Sequence, residues 1–146
     1  MRLIFNKGNF LSVGIAGLLL IGSVKAENQT PVQVETLLQS SSSWDGVPYQ
    51  YYPNSPPELT VLKITIPANT ELPWHTHPMP SVAYVLSGKL TVELQENGEK
   101  KTLTTGQVLP DVIEKIHRGV TGDTPAVLIV FYAGTNGMPL SHSVEQ

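Results

Sequence analysis

Apolar and polar residues alternate along much of the second half of the chain, which is the pattern of half-buried β-strands. In residues 60–66, and again in residues 90–94, every second side chain is apolar. Residues 81–86 form a further short apolar strand, and residues 126–132 form a nearly continuous apolar run typical of a buried strand. Short strands at regular spacing predict an all-β sandwich or barrel, and nothing here supports a long amphipathic helix.

Turn signals separate these runs. Ser87-Gly88 predicts a tight turn that returns the chain into the next strand, and Asn97-Gly98 is the dipeptide of a hairpin with a primed turn. From Gly134 onward the chain is rich in Gly, Pro and Ser, which predicts an irregular tail.

The first 26 residues have a different pattern. Arg2 and Lys7 precede an apolar stretch from Phe10 to Val24. Val24 and Ala26 then have small side chains at the two positions that a signal peptidase recognises. We therefore expect a signal peptide that is cleaved after Ala26, and a periplasmic or secreted protein. The alternative is an uncleaved anchor, but this stretch falls short of the roughly 20 apolar residues that a spanning helix needs.

Cleavage would change the size and charge of the protein. The full chain has 146 residues, with nine basic and 12 acidic side chains and a formal charge of -3. Three of the basic residues leave with the signal peptide, so that the mature 120 residues carry a charge of -6. This length suits a single domain.

The acidic balance argues against a nucleic-acid partner, and no stable membrane insertion is expected after cleavage.

The chain has no cysteine and four histidines, so any metal site must use nitrogen and oxygen ligands. His75 and His77 project to the same face if the chain is extended there, and imidazole suits zinc, iron, copper and nickel. By itself this tripeptide is more often two unrelated histidines in a surface loop. His117 lies beyond a hairpin and a glycine turn, from where it can return across a barrel. His142 lies in the tail and is assigned no role.

Two segments resemble the motifs of the cupin superfamily. Residues 73–90 (PWHTHPMPSVAYVLSGKL) resemble the first motif, in which two histidines one residue apart precede an apolar strand that ends in glycine. Residues 106–121 (GQVLPDVIEKIHRGVT) resemble the second motif, in which a third histidine follows a glycine by eleven positions. The resemblance implies a single-domain jelly-roll β-barrel over residues 59–134, and a homodimer. Residues 27–58 are then an N-terminal extension with edge strands, and residues 135–146 a C-terminal tail.

The chain departs from the cupin pattern at several positions. Cupins usually supply a glutamate ligand at the position that Ser81 occupies here. The proline and glycine that usually precede the third histidine are replaced by Val112 and Glu114, and the asparagine that usually follows it is Thr121. Three of the four usual ligands are therefore present, and the carboxylate is missing.

The resemblance implies a divalent transition metal (iron, zinc, nickel, copper or manganese) held by His75, His77 and His117. Three protein ligands leave coordination positions open, which is the arrangement of catalytic metal sites. Ser81 is a poor ligand, but its hydroxyl could hydrogen-bond a metal-bound water or a bound ligand.

Three carboxylates lie near these motifs. Asp111 shares strand parity with His117 and could approach the metal, although Pro110 makes its direction uncertain. A solvated turn residue is the more frequent role for such a carboxylate. Glu71 and Glu114 fit surface charges.

The walls of the implied pocket follow from strand parity. If Ser81 faces the interior, so do Ala83 and Val85, which are small and apolar. Such a largely apolar pocket suits a small organic ligand. Trp74 and Tyr132 could line its mouth, although ordinary aromatic packing is the more frequent role.

Three functions fit this site. The first is a metal-dependent enzyme of the oxygenase or isomerase type, which binds and transforms a small organic molecule. The second is a protein that binds or senses a small molecule or a metal without turnover. The third is a barrel whose histidines bind nothing of consequence. The missing glutamate favours the second function over the first, because such a carboxylate often serves as both ligand and base.

Overall fold

A computed structural model describes residues 31–144, and all of the regular secondary structure in this range is β-strand. The strands are β1 (Pro57–Ile66), β2 (His75–Thr76), β3 (Ser81–Ser87), β4 (Lys89–Leu94), β5 (Lys100–Thr104), β6 (Val108–Pro110), β7 (His117–Val120), β8 (Ala126–Thr135) and β9 (His142–Ser143). The all-β prediction is thus confirmed. The predicted signal peptide lies outside the described residues. Within them, no helix has the length and apolar character needed to cross a membrane.

The strands form two antiparallel sheets. One has four strands in the order β1-β8-β3-β6, and the other has five in the order β5-β4-β7-β2-β9. Their inner faces share one apolar core, to which Val85 and Leu128 contribute from the first sheet and Val92 and Leu103 from the second. Among residues 31–144 no strand belongs to both sheets, so the predicted barrel is an open jelly roll of two packed sheets.

Burial follows the two-residue period of the strands. Ser81, Ala83 and Val85 are buried and alternate with half-buried neighbours, as strand parity predicted. Residues 126–132 form the predicted strand as part of β8, but the strand is fully buried on one face only. Between residues 126 and 132 only alternate residues are buried, and Phe131 on the opposite face is 36% exposed. The apolar run of β8 therefore supplies the core from one face.

The predicted tight turn at Ser87-Gly88 does not form a hairpin. β3 pairs with β6 and β8, whereas β4 pairs with β5 and β7, so the chain crosses from one sheet to the other at Gly88. Gly88 has a φ of +83°, and a Cβ at this position would lie 2.1 Å from the carbonyl oxygen of Pro125. The crossing thus requires a residue without a side chain.

The predicted hairpin at Asn97-Gly98 is present between β4 and β5. Gly98 has a φ of +69°, while Asn97 is not among the residues with positive φ. The Leu94 amide donates to the carbonyl of Glu99, which closes a longer loop. The turn is therefore not a two-residue primed turn, because both primed types need positive φ at the first central residue, which is Asn97 here.

The segment after β8 is more regular than the sequence predicted. Its last described residues form β9, in which His142 lies opposite Thr76 of β2. The amide of Val144 also donates to the carbonyl of Trp74, at 3.0 Å. The tail thereby pairs with the strand that carries the first histidine of the tripeptide.

Candidate metal centre

Three histidines meet between the two sheets. His75 lies in β2 directly opposite His117 in β7, and His77 follows β2 by one residue. The ring centroids are 4.5 Å apart for His75 and His117, 4.9 Å for His75 and His77, and 5.1 Å for His77 and His117. One ring nitrogen of each lies within 4.8 Å of the other two. The structure therefore brings together the residues that the motif spacing selected, in a cluster that could hold a metal ion.

His75 and His117 are oriented in the same way. The Nδ1 of each lies 2.8 Å from the carbonyl oxygen two residues earlier, which belongs to Pro73 for His75 and to Lys115 for His117. Because a carbonyl oxygen only accepts hydrogen bonds, each Nδ1 carries the proton and each Nε2 presents a lone pair. Hydrogen bonding of this kind fixes the tautomer and ring orientation of metal-binding histidines.

His77 is oriented by the tail. Its Nδ1 lies 2.6 Å from the carbonyl oxygen of Leu140, so its Nε2 also carries the lone pair. Sequence reasoning missed this contact, because a backbone carbonyl has no signature in the side-chain pattern. In the neutral form, each of the three rings thus presents its Nε2 lone pair, which is the atom that can bind a metal.

Asp111 extends this cluster. Its Oδ2 lies 3.7 Å from the Nε2 of His77 and 3.6 Å from the Nε2 of His117. Its Oδ1 accepts a hydrogen bond from the Val112 amide at 2.8 Å. Asp111 is only 7% exposed, so the role of a solvated turn residue is wrong for it.

The electrostatics of the cluster follow from burial and from this carboxylate. Burial lowers the pKa of His75 and of His77. Burial also acts to lower the pKa of His117, but the neighbouring Asp111 outweighs it and the pKa is raised. Burial alone would raise the pKa of Asp111, but His117 and His77 lower it, so the carboxyl stays ionised. A negative charge thus faces two of the ring nitrogens, which favours a cation between them.

Ser81 occupies the position of the usual cupin glutamate and is 1% exposed. Its Oγ has no hydrogen-bond partner among the described residues. Ala83, two residues later, lines the cavity that contains the histidines, whereas Ser81 does not. Contact between Ser81 and a bound water or ligand therefore stays a prediction.

The cavity at the histidines has a volume of about 70 Å³. Most of its wall is apolar, with Ala83, Leu109 and Val130 contributed by one sheet and Leu90 and Val92 by the other. Pockets for drug-sized ligands usually measure about 300–1,000 Å³. This cavity is thus limited to a ligand, or to a part of a ligand, of a few atoms.

The two aromatic residues considered for the pocket mouth have different roles. Tyr132 lines the cavity, with its ring edge against His77 at a centroid distance of 5.4 Å. Burial, together with the charge of Asp111, raises the pKa of Tyr132 to about 12, so its phenol stays protonated. Trp74 is not among the residues that line this cavity. It packs instead beneath Arg118, whose guanidinium carbon lies 4.5 Å from the ring centroid.

One further residue supports the centre and was not selected from the sequence. The Tyr49 hydroxyl donates to the backbone carbonyl of Asp111 at 2.6 Å and holds the chain after β6 in place. The contact joins residues 62 positions apart, so no local sequence pattern indicates it. Glu71 and Glu114 are exposed, as surface charges should be, and Glu71 pairs with Arg118.

Comparison with known families agrees with the motifs. Residues 62–132 match the family model of the cupin domain. Among curated proteins, none matches this sequence significantly.

Several solved structures share the fold. The polyketide cyclase RemF from Streptomyces resistomycificus is 19% identical, with a TM-score of 0.53 over 64% of this chain and 64% of its own. The lyase DddQ from Ruegeria pomeroyi DSS-3, which acts on DMSP, is 21% identical, with a TM-score of 0.51 over 64% of this chain and 45% of its own. An uncharacterized protein from Klebsiella pneumoniae with a double-stranded β-helix domain is 19% identical, with a TM-score of 0.52 over 77% of this chain and all of its own. The chain thus spans less than half of the lyase and just under two thirds of the cyclase. At these identities the likeness shows the fold alone.

Proposed function

We propose that this chain, which belongs to the cupin superfamily, binds a divalent transition metal through His75, His77 and His117 and uses it to hold and transform a small organic molecule. The observation that carries the proposal is the common orientation of the three rings. Each has its Nδ1 bonded to a backbone carbonyl, which leaves the three Nε2 lone pairs free for one ion.

The donor set fits a transition metal. Zinc binds imidazole nitrogen at about 2.0–2.1 Å, so two nitrogens on one ion are at most about 4.2 Å apart. The three nitrogens here lie within 4.8 Å of one another, and small side-chain movements would bring them to that spacing. Iron, zinc, nickel, copper and manganese are all retained in the proposal, because the ligand set does not select among them.

The residues around the centre restrict what can react there. An ion at such a site polarises an oxygen of the ligand or lowers the pKa of a bound water. The wall is largely apolar, and the volume of about 70 Å³ admits only a small acid, a carbonyl group or the end of a longer molecule. Tyr132, with its phenol protonated, is the wall residue that can donate a hydrogen bond to such a ligand.

A binding or sensing protein without turnover is the second candidate. Ser81 favours it, because a hydroxyl replaces the carboxylate that usually serves as ligand and base. The enzymatic candidate is supported by the fold that the chain shares with a lyase and a cyclase.

The test uses the purified protein loaded with each of the five metals in turn. Small carboxylic acids and diketones are added, and product formation and oxygen consumption are followed. The enzymatic proposal predicts metal-dependent turnover that is lost in His77→Ala and retained in His142→Ala, whose histidine is exposed on β9. Ligand binding that depends on the metal but gives no product would support the sensing function instead. Activity that survives the loss of His77 would contradict the enzymatic proposal.

We also propose export, with cleavage after Ala26, and assembly as a homodimer. The support for export is the basic start and apolar stretch of residues 1–26. Intact-mass measurement of the protein from its native host should give the mass of residues 27–146, and sedimentation should give twice that mass. A chain that retains residues 1–26 would contradict cleavage, and a monomer would contradict the dimer.

A further inference from the structure

We infer that Asp111 supplies the carboxylate ligand of this metal centre, in place of the glutamate whose usual position is occupied by Ser81. The inference rests on the proposed function, since it concerns the same centre. It assigns a ligand from the second motif where the cupin pattern takes one from the first.

The position of Asp111 meets the distance requirement toward two of the three histidines. Ligand atoms bonded to one ion at about 2.1 Å lie roughly 3–4 Å from one another. The Oδ2 of Asp111 lies 3.7 Å from the Nε2 of His77 and 3.6 Å from that of His117. This oxygen is thus already at ligand spacing from two of the three nitrogens, and Asp111 lines the same cavity as all three histidines.

The hydrogen bonds around Asp111 select which oxygen faces the centre. Oδ1 is held by the Val112 amide, which leaves Oδ2 for the histidines. The backbone of Asp111 is fixed on both sides, because its amide donates to the Ser81 carbonyl at 2.9 Å and its carbonyl accepts from the Tyr49 hydroxyl. A carboxylate that is fixed in this way is prepared to coordinate an ion.

The charge of Asp111 also supports its role as a metal ligand. Buried carboxylates in proteins are either paired or coordinate a metal. Asp111 is 7% exposed, and its ion-pair contacts among the described residues are to His77 and His117 rather than to lysine or arginine. Neutral imidazoles leave the full charge on a divalent ion, and this carboxylate would offset part of it.

The strand pairing explains how a residue of the second motif could take the place of a ligand from the first motif. β3, which begins at Ser81, pairs with β6, and Val82 lies opposite Pro110. Asp111 is therefore the cross-strand neighbour of Ser81, and its backbone amide donates a hydrogen bond to the Ser81 carbonyl. A side chain from the end of β6 can reach the region that the usual glutamate reaches from the start of β3.

The test measures metal binding rather than activity. The metal-free protein is titrated with Zn²⁺ in competition with a chelating dye, and with Co²⁺ by visible absorption. In Asp111→Asn, which keeps the size of the side chain, we expect the Zn²⁺ affinity to fall by at least about 100-fold, with altered Co²⁺ bands. The matched control is Glu114→Gln, which removes an exposed carboxylate from the same segment and should keep the wild-type affinity and bands. Asp111→Ser serves as a second variant, in case Asp111→Asn fails the check for folding by circular dichroism.

The outcomes separate this inference from the proposed function. Zn²⁺ binding by wild type but not by His117→Ala would support the three-histidine site. If both Asp111 variants then keep the wild-type Co²⁺ bands, the ligand role of Asp111 is overturned while that site stands. A weaker affinity with unchanged Co²⁺ bands would also overturn it, since Asp111 would then act only on the fold. If the wild-type protein binds neither ion, the proposed function itself is overturned.

Discussion

The Nδ1 of His77 lies 2.6 Å from the carbonyl oxygen of Leu140, 63 residues later in the chain. This bond connects the candidate metal centre to the C-terminal segment, which also pairs with β2 through β9. The tail therefore does more than cover an edge of the sheet, because it sets the orientation of one ligand.

Removing residues 140–146 should weaken metal binding. Without the Leu140 carbonyl, His77 loses the acceptor that keeps its proton on Nδ1, and Zn²⁺ affinity should fall about 10- to 100-fold. Affinity is measured by competition with a chelating dye, after circular dichroism has shown that the shortened chain is folded. Removal of residues 145–146 alone is the control and should leave the affinity unchanged. Equal affinities for the two shortened chains would mean that the tail does not orient His77.

Gly88→Ala should destabilise the protein much more than Gly98→Ala. Both glycines have positive φ, but a Cβ at position 88 would meet the Pro125 carbonyl at 2.1 Å, whereas a Cβ at position 98 has no atom within 4 Å. We expect a loss of about 3 kcal/mol or more in the free energy of unfolding at position 88, against about 1–2 kcal/mol at position 98. Urea denaturation measures both losses. Similar losses would show that the crossing between the sheets tolerates a side chain.

The ion pairs of Glu93 should make stability depend on pH. Glu93 is 6% exposed, and hydrogen bonds from Lys100 and then Arg118 lower its pKa. A carboxyl with a lowered pKa stabilises the fold above its unfolded pKa, and this contribution is lost as the pH falls through the lower, folded value. Glu93→Gln should therefore cost about 1–3 kcal/mol near neutral pH, and the difference from wild type should shrink below about pH 4.

The matched control for Glu93 is Glu96→Gln, because the Glu96 side chain is 56% exposed and pairs with Lys115 at 3.0 Å. An exposed pair of this kind contributes about 0–1 kcal/mol. Urea denaturation of the three proteins across the acid range gives the comparison. A Glu93→Gln deficit that stays constant with pH, or grows in acid, would contradict the ion-pair account.

The cavity volume predicts which ligands reach the metal. In Co²⁺-loaded protein, formate should shift the visible bands and benzoate should not, because about 70 Å³ does not admit an aromatic ring. Leu109→Ala removes a buried wall residue, at an expected cost of about 2–5 kcal/mol in the free energy of unfolding. This variant should then respond to benzoate. If benzoate shifts the bands of the unaltered protein, the wall does not limit ligand size.

Sequence reasoning found the three histidines because their spacing is local in each motif. His75 and His77 are separated by one residue of extended chain, and His117 follows Gly106 at a fixed distance. The parity of β3 was equally readable, since Ser81 and Ala83 share one face, as predicted, and that face is buried. Such features depend on a few neighbouring residues, which the pattern alone specifies.

Other features depend on distant parts of the chain. Asp111 follows Pro110, where β6 ends, so its direction could not be deduced from strand parity. The role of Gly88 could not be predicted, because a hairpin and a crossing between sheets both favour glycine after an apolar strand. The hydrogen bond from His77 to the Leu140 carbonyl could not be predicted from the sequence, since any residue supplies a carbonyl.

The central claim is that one metal ion binds among His75, His77 and His117, and anomalous diffraction from crystals of the metal-loaded protein tests it most directly. Data collected at the absorption edge of the loaded metal should show one strong peak within bonding distance of all three Nε2 atoms. Crystals of metal-loaded His117→Ala should lose that peak, and crystals of His142→Ala should keep it. A loaded protein with no peak at the three histidines, or with its metal bound elsewhere, would contradict the account.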